Sequence, residues 1–191
     1  SIDSVFIGVS AGRTVTGSNC VAIGDYALEA GGAGHGNVHI GSESGRYYVN
    51  GGSYNTAVGY FTLRAASNAP SNNVALGAYA GSYETGSYKL FIDGIDRNTE
   101  AQGRTDSLIY GVMSTNGPVN QSLYFNVSNA YLQYDNASLI FGAGLDASLY
   151  YDGTNLICNP KIVGTGYLDV LGQVNADNFV SDVAIGTQPY A

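Results

Sequence analysis

An apolar-x-apolar-Gly tetrad, once with Thr in first place, recurs five times in the first 77 residues. It is spelled Val5-Phe6-Ile7-Gly8, Val21-Ala22-Ile23-Gly24, Val38-His39-Ile40-Gly41, Thr56-Ala57-Val58-Gly59 and Val74-Ala75-Leu76-Gly77. Successive glycines lie 16, 17, 18 and 18 residues apart. A near-constant period of this length marks a repeat architecture, in which each unit is too small to bury its own apolar face and stacks on its neighbours. A helix is a poor host for such units, because each internal glycine would cost about 1 kcal/mol. The tetrad reads instead as a short strand. Its first and third residues share one face, its second (Ala22, His39, Ala57, Ala75) faces the other way, and the glycine ends it.

The residue before each tetrad is Ser4, Cys20, Asn37, Asn55 or Asn73, mostly a small polar turn former. SNCVAIG and SNNVALG are near copies, which places Cys20 where Asn73 sits and gives it a neutral structural role. Each glycine is followed by a segment expected to form a second short strand (DYAL, SESG, YFTL, AYAG) and then by a Gly/Ser/Asn-rich connector. Two strands and two turns make one coil of a narrow roll. With coils rising about 4.8 Å each, five of them form a rod on the order of 20–25 Å long. One narrow coil buries little apolar area, and the open ends of the stack need capping or pairing. Lateral association is therefore expected, with a homotrimer as the natural solution for a thin fibre.

Only 12% of the 191 residues are charged while 45% are hydrophobic and 27 are glycine, so the surface must be built mainly from Ser, Thr, Asn, Gly and Tyr. That composition suits extended β architecture and is too apolar for a disordered chain. A formal charge of −8, with seven scattered Lys and Arg, gives no basic face for a nucleic-acid partner. Nothing approaches the roughly 20 apolar residues of a membrane helix, so no membrane insertion is expected. Cys20 and Cys158 fall in different modules and read as two buried or half-buried thiols without a disulfide.

The period changes after Gly86. Six stretches then share a polar residue, Leu and two apolar or aromatic residues: KLFID, SLIYG, SLYFN, SLIFG, SLYYD and NLICN. Separated by Asn/Asp/Gly turns, they read as an array of short strands. In the third, Leu123 and Phe125 lie on one face and Tyr124 and Asn126 on the other. The expected organisation is all-β: a roll of five coils over residues 1–88, a β-rich module over 89–180, and a linker over 181–191 leading to a distal part. The opening SIDSVFIG reads as a strand already under way, and so as the start of a fragment.

NTAVGYFTLRAASNAPSNNVALGAYAG resembles the head repeats of YadA-type trimeric adhesins, and more closely the NTAVGY-type repeats of bacteriophage tail-fibre proteins. The SLYF-type strands and DASLYYDGTNLICNPKIVGTG resemble segments of phage virion proteins. The resemblance implies a left-handed parallel β-roll whose tetrads form the inner strand, with three chains side by side in a homotrimeric fibre. It implies a structural virion protein, on a tail or other surface fibre assembled in the host cytoplasm. Its partners would be other virion proteins and a host surface glycan or protein. On that alignment Val5, Ile7, Gly8, Val21, Ile23, Gly24, Val38, Ile40, Gly41, Asn55, Val58, Gly59, Asn73, Val74, Leu76 and Gly77 are the structural repeat positions. The alternatives are a polysaccharide depolymerase domain of a tailspike and the head of a bacterial trimeric adhesin. The β-helix of hexapeptide acyltransferases fits poorly, since only one strong apolar-Gly step occurs per coil.

No enzyme is expected. There is no nucleophile elbow and no phosphate loop, and the carboxylates are dispersed, with no apolar pocket evident to raise one pKa. No metal and no cofactor are expected either. His35 and His39 lack a carboxylate or Cys cluster, so only a trimer axis gathering three copies of His39 would make a site. Asp93, Asp96, Asn98 and Glu100 read as a solvated loop. Tyrosine crowds the end of the first module, and Tyr47, Tyr48, Tyr54 and Tyr83 are the candidate receptor-binding residues, against the alternative that they pack between coils and chains.

Overall fold

A computed structural model describes residues 3–47, 51–64, 70–118, 120–131, 138–141, 147–151, 153–154 and 156–159. The chain forms two compact units, Ser1–Asn129 and Ala130–Ala191. In the first, the five tetrads are strands β1 (Val5–Ile7), β2 (Val21–Ile23), β3 (Val38–Ile40), β4 (Thr56–Val58) and β5 (Val74–Leu76). They pair in parallel, each tetrad position directly on its counterpart in the next coil. The architecture is a parallel β-solenoid of five coils.

The stack continues past the expected boundary at residue 88. Strand β6 (Lys89–Ile92) is a sixth parallel rung, with Val74 opposite Leu90 and Leu76 opposite Ile92. The sheet then reverses. Strands β7 (Ile109–Val112) and β8 (Ser122–Phe125) add antiparallel, so the parallel stack ends in a hairpin rather than a bare edge. Between β6 and β7 lies helix α1 (Glu100–Asp106), which takes in Glu100, the last residue of the stretch expected to be a solvated loop. Its signal is an N-cap: Thr99 Oγ1 accepts from the Gln102 N–H at 3.1 Å. In the second unit β9 (Ser138–Phe141) and β11 (Leu156–Asn159) flank β10 (Ala147–Tyr151), all antiparallel. All six SLYF-type stretches thus carry a strand. Tyr48, the end of the expected β-rich module beyond residue 159 and the expected linker lie outside the described residues.

The segment after each glycine is not a strand. It is a run of tight turns in which every second residue has positive φ: Tyr26 (58°) and Leu28 (48°), Glu43 (57°) and Gly45 (63°), Phe61 (59°) and Leu63 (44°), Tyr79 (61°) and Gly81 (60°). Alternate N–H groups therefore point in different directions. Ala27 and Ser44 donate back within their own turns to Gly24 and Gly41, while Leu28 and Gly45 donate across to Ser44 and Thr62 of the next coil at 2.8 and 2.9 Å. Coil-to-coil bonding is kept although strand geometry is lost. A bulky residue at positive φ is unusual, and Leu28 and Leu63 are held there because their side chains are fully buried.

The coil interior is too narrow for the Val/Ile pairs. It holds the second tetrad residue, paired with the residue four after the glycine: Phe6 with Gly12, Ala22 with Leu28, His39 with Gly45, Ala57 with Leu63. Large faces small each time. A Cβ on Gly12 would sit 2.5 Å from the Phe6 ring, and one on Gly45 would strike the His39 imidazole. In the fifth coil both partners are small (Ala75, Gly81), and Leu63 and Phe91 from the coils on either side fill the space.

His39 thus points into its own coil and is fully buried, so a trimer axis cannot gather three copies of it. Burial pushes its imidazole down to about 4, against a lesser upward pull from Ser44. Because the folded pKa lies below the unfolded value of about 6.5, the folded state's advantage is complete above that value. It is lost as pH falls toward about 4, a difference of about 3 kcal/mol. Urea midpoints are expected to drop between about pH 7 and about pH 5, and His39→Ala to flatten that slope even though it lowers overall stability. An equal slope in both proteins would contradict this role.

Candidate functional site

With the second tetrad residue turned inward, the first and third face out. Two columns result across one sheet: Val5, Val21, Val38, Thr56, Val74, Leu90, Gly111 and Leu123, and beside it Ile7, Ile23, Ile40, Val58, Leu76, Ile92, Ile109 and Phe125. Neither contains a charge. Exposure reaches 58% at Ile7 and 61% at Phe125. Eight strands at about 4.8 Å make this stripe roughly 35 Å long. Broken only by Thr56 and Gly111, it is the kind of apolar surface that interaction faces carry.

Two polar columns, one of them internal, hold the coils in register. Asn55 Nα–H donates to Asn37 Oδ1, Asn73 Nα–H to Asn55 Oδ1 and Lys89 Nα–H to Asn73 Oδ1, at 3.0, 3.0 and 2.8 Å. Beside them the backbone N–H groups of His35, Ser53 and Ser71 donate to the hydroxyls of Ser53, Ser71 and Ser87. The same column occupies His35, whose Nδ1 accepts from the Ser18 N–H at 3.0 Å. Cys20, at the Asn position, is buried and donates its thiol to Gly34 O. Cys158 is exposed, not buried or half-buried as expected, because it lies in the edge strand β11.

The outer surface of the turn column carries an ion-pair ladder. Glu29 joins Arg13 and Arg46, and Glu43 joins Arg46 and Arg64, at 2.8–3.0 Å. Burial alone would raise the Glu43 carboxyl, but its bonds to Arg46 and Arg64 hold it below the usual range. The arginines also lie over rings: Arg46 over Tyr26 at 4.4 Å, Arg64 over Phe61 at 4.3 Å and over Tyr47 at 4.9 Å.

The tyrosines expected to bind a receptor are dispersed. Tyr47 belongs to this arginine ladder. Tyr54 is 66% exposed and its ring covers Gly36 on the connector side. Tyr83 lines a cavity of only about 10 Å³ with Glu84 and Phe91. Asp93 is gripped by Arg97 at 2.6 and 3.0 Å, and Asp96 accepts from the Asn98 N–H. Among the described residues no group of three or more His, Cys, Asp or Glu is placed to hold a metal, and no helix is long and apolar enough to cross a membrane.

Sequence reasoning passed over the cap. Glu84 is buried, and Arg104 of α1 clamps it with bonds of 2.9 and 2.5 Å. Desolvation would raise its pKa, yet Arg104 and the Gly86 N–H pull the carboxyl below the usual range. Arg104 also borders a pocket of about 320 Å³ with Thr105, Tyr110, Tyr124 and Asn126. The alternation that puts Tyr124 and Asn126 on one face was visible in the sequence. Their meeting with Arg104 and Tyr110 depends on the hairpin. Comparison with protein families, with curated proteins and with solved structures returns no match.

Proposed function

We propose that this chain is a non-enzymatic structural segment of a virion fibre, working as a homotrimer that carries a host-attachment region. The pair of aliphatic columns supports the reading. A partner that covers them must present apolar groups at the spacing of one coil over eight strands, and a second copy of the chain has that spacing built in. Closing three such faces around one axis leaves no column exposed. Half-burying a Val or Ile contributes roughly 1 kcal/mol. A dozen such contacts per chain are on the scale of the roughly 4–15 kcal/mol that association costs. The likeness of the repeats to phage tail-fibre sequences supplies the virion context. Attachment by such a fibre is multivalent, with weak contacts summed through effective concentration.

The depolymerase alternative needs a carboxylic acid held neutral near pH 7. The buried Glu84 points the other way, because Arg104 clamps it and holds its carboxyl below the usual range. Antibodies against residues 3–129 are expected to decorate a projecting fibre on intact virus particles. Particles left unlabelled would overturn the virion assignment, and release of reducing ends from host capsule or O-antigen would overturn the non-enzymatic one.

A further inference from the structure

We propose that the pocket beside the capping hairpin binds one neutral pyranose ring of a saccharide; this deepens the attachment reading by giving it a ligand class and a site. Tyr110 and Tyr124 sit opposite each other on β7 and β8, with ring centroids 5.7 Å apart and planes within 24°. Tyr124 is 49% exposed, so part of its ring surface is open to a ligand. Aromatic rings take the C–H face of a sugar, and orientation then comes from a few polar groups at the rim. Those groups are present. Tyr110 is 7% exposed as a residue, while its hydroxyl keeps contact with solvent and can bond a ligand. Asn126 donates Nδ2–H to Ser107 O at 2.7 Å, which leaves its Oδ1 as an acceptor.

Charge selects the class of sugar. The Arg104 guanidinium is committed to Glu84 and Glu100, and Thr105 at the rim donates its hydroxyl to Asp106. Two carboxylates on one cation leave it no free charge for uronic acids or phosphosugars, and neutral hydroxyls are favoured. The position is compatible with a trimer, because Tyr110 and Tyr124 lie on the opposite side of the sheet from Leu123 and Phe125. Self-association through the aliphatic columns would leave the pocket open. It is also separate from Tyr47, Tyr54 and Tyr83.

Saturation-transfer proton NMR on the whole chain tests the site, using the methyl glycosides of glucose, galactose and N-acetylglucosamine up to about 50 mM, since one ring held by so few contacts binds near the millimolar range. At least one glycoside is expected to receive saturation. The signal should fall at least about tenfold in Tyr124→Ala, weaken several-fold in Tyr110→Phe, which removes only the hydroxyl, and persist in Tyr54→Ala. Methyl glucuronide should receive none. Silence from all three neutral glycosides, persistence in Tyr124→Ala, or equal binding of the glucuronide would each overturn the proposal. Light scattering on the same samples separates the two ideas. A trimer that binds no sugar overturns the pocket alone, and a folded monomer that binds overturns the fibre reading alone.

Discussion

Gly24→Ala is expected to destabilise the solenoid by more than about 4 kcal/mol, a large share of the roughly 5–15 kcal/mol that a domain of this size has in total. Two costs combine. Gly24 has φ of 126°, a backbone conformation that costs a residue with a Cβ about 1–3 kcal/mol. The new Cβ would also lie 2.6 Å from Gly41 C and 2.8 Å from Gly41 O and Ser42 N. These are backbone atoms of the next coil, so no rotamer change relieves the clash. The coils must separate, which breaks the Gly41 N–H to Ile23 O bond of 2.7 Å and its neighbours. Gly94→Ala is the control, because a Cβ there meets nothing within 4 Å and φ is not positive. It should change stability by less than about 0.5 kcal/mol. Urea unfolding followed by circular dichroism reads both, and similar losses at the two positions would contradict a stack fixed by glycine.

The second large effect is expected at Asn55. Its side chain is fully buried and works at both ends. Oδ1 accepts from the Asn73 N–H, and Nδ2 donates to Asn37 Oδ1 and Pro70 O, all at 3.0 Å. Asn55→Ala strands at least the Asn73 N–H and the Pro70 carbonyl in a dry interior. At about 1–3 kcal/mol for each unpaired group, the loss is about 2–5 kcal/mol. Serine should recover part of it. In the first coil Ser4 Oγ already accepts the Cys20 N–H at 3.0 Å, so a hydroxyl at this column reaches the next coil. The expected order of urea midpoints is wild type, then Asn55→Ser, then Asn55→Ala. Asn55→Ala melting with wild type would refute the ladder.

Both residues could be singled out before any coordinates, because they recur at the coil period and each copy does the same job on the next. The column ends for an equally simple reason. The rung after Gly77 carries Asp93 in place of glycine, without the positive φ of the five glycines before it, and the sheet turns antiparallel there. The continuation of β6 was less visible, because Asp93 replaces glycine and hid the sixth tetrad. Ser87-Tyr88-Lys89 does stand where Ser71-Asn72-Asn73 stood, and that was the available signal. Leu28 and Leu63 misled more deeply. Their apolar character suggests a strand, and only the narrow coil explains why leucine accepts positive φ there. The candidate sites divide in the same way. The aliphatic columns follow from period-two alternation within each tetrad, whereas the pocket joins Arg104 of α1 to Tyr110 and Tyr124 across a hairpin that no local pattern announces.

The central claim is that the two aliphatic columns exist to be covered by copies of the same chain. Light scattering coupled to size exclusion tests it directly on the wild-type protein and on an Ile23→Asp, Ile40→Asp double variant. Wild type is expected at about 60 kDa, three times the 19.9 kDa of one chain. The variant is expected at the mass of one chain with its β signal retained, because those side chains lie outside the coil. A folded wild-type chain running as a monomer near 19.9 kDa, or a double variant that stays trimeric, would contradict it.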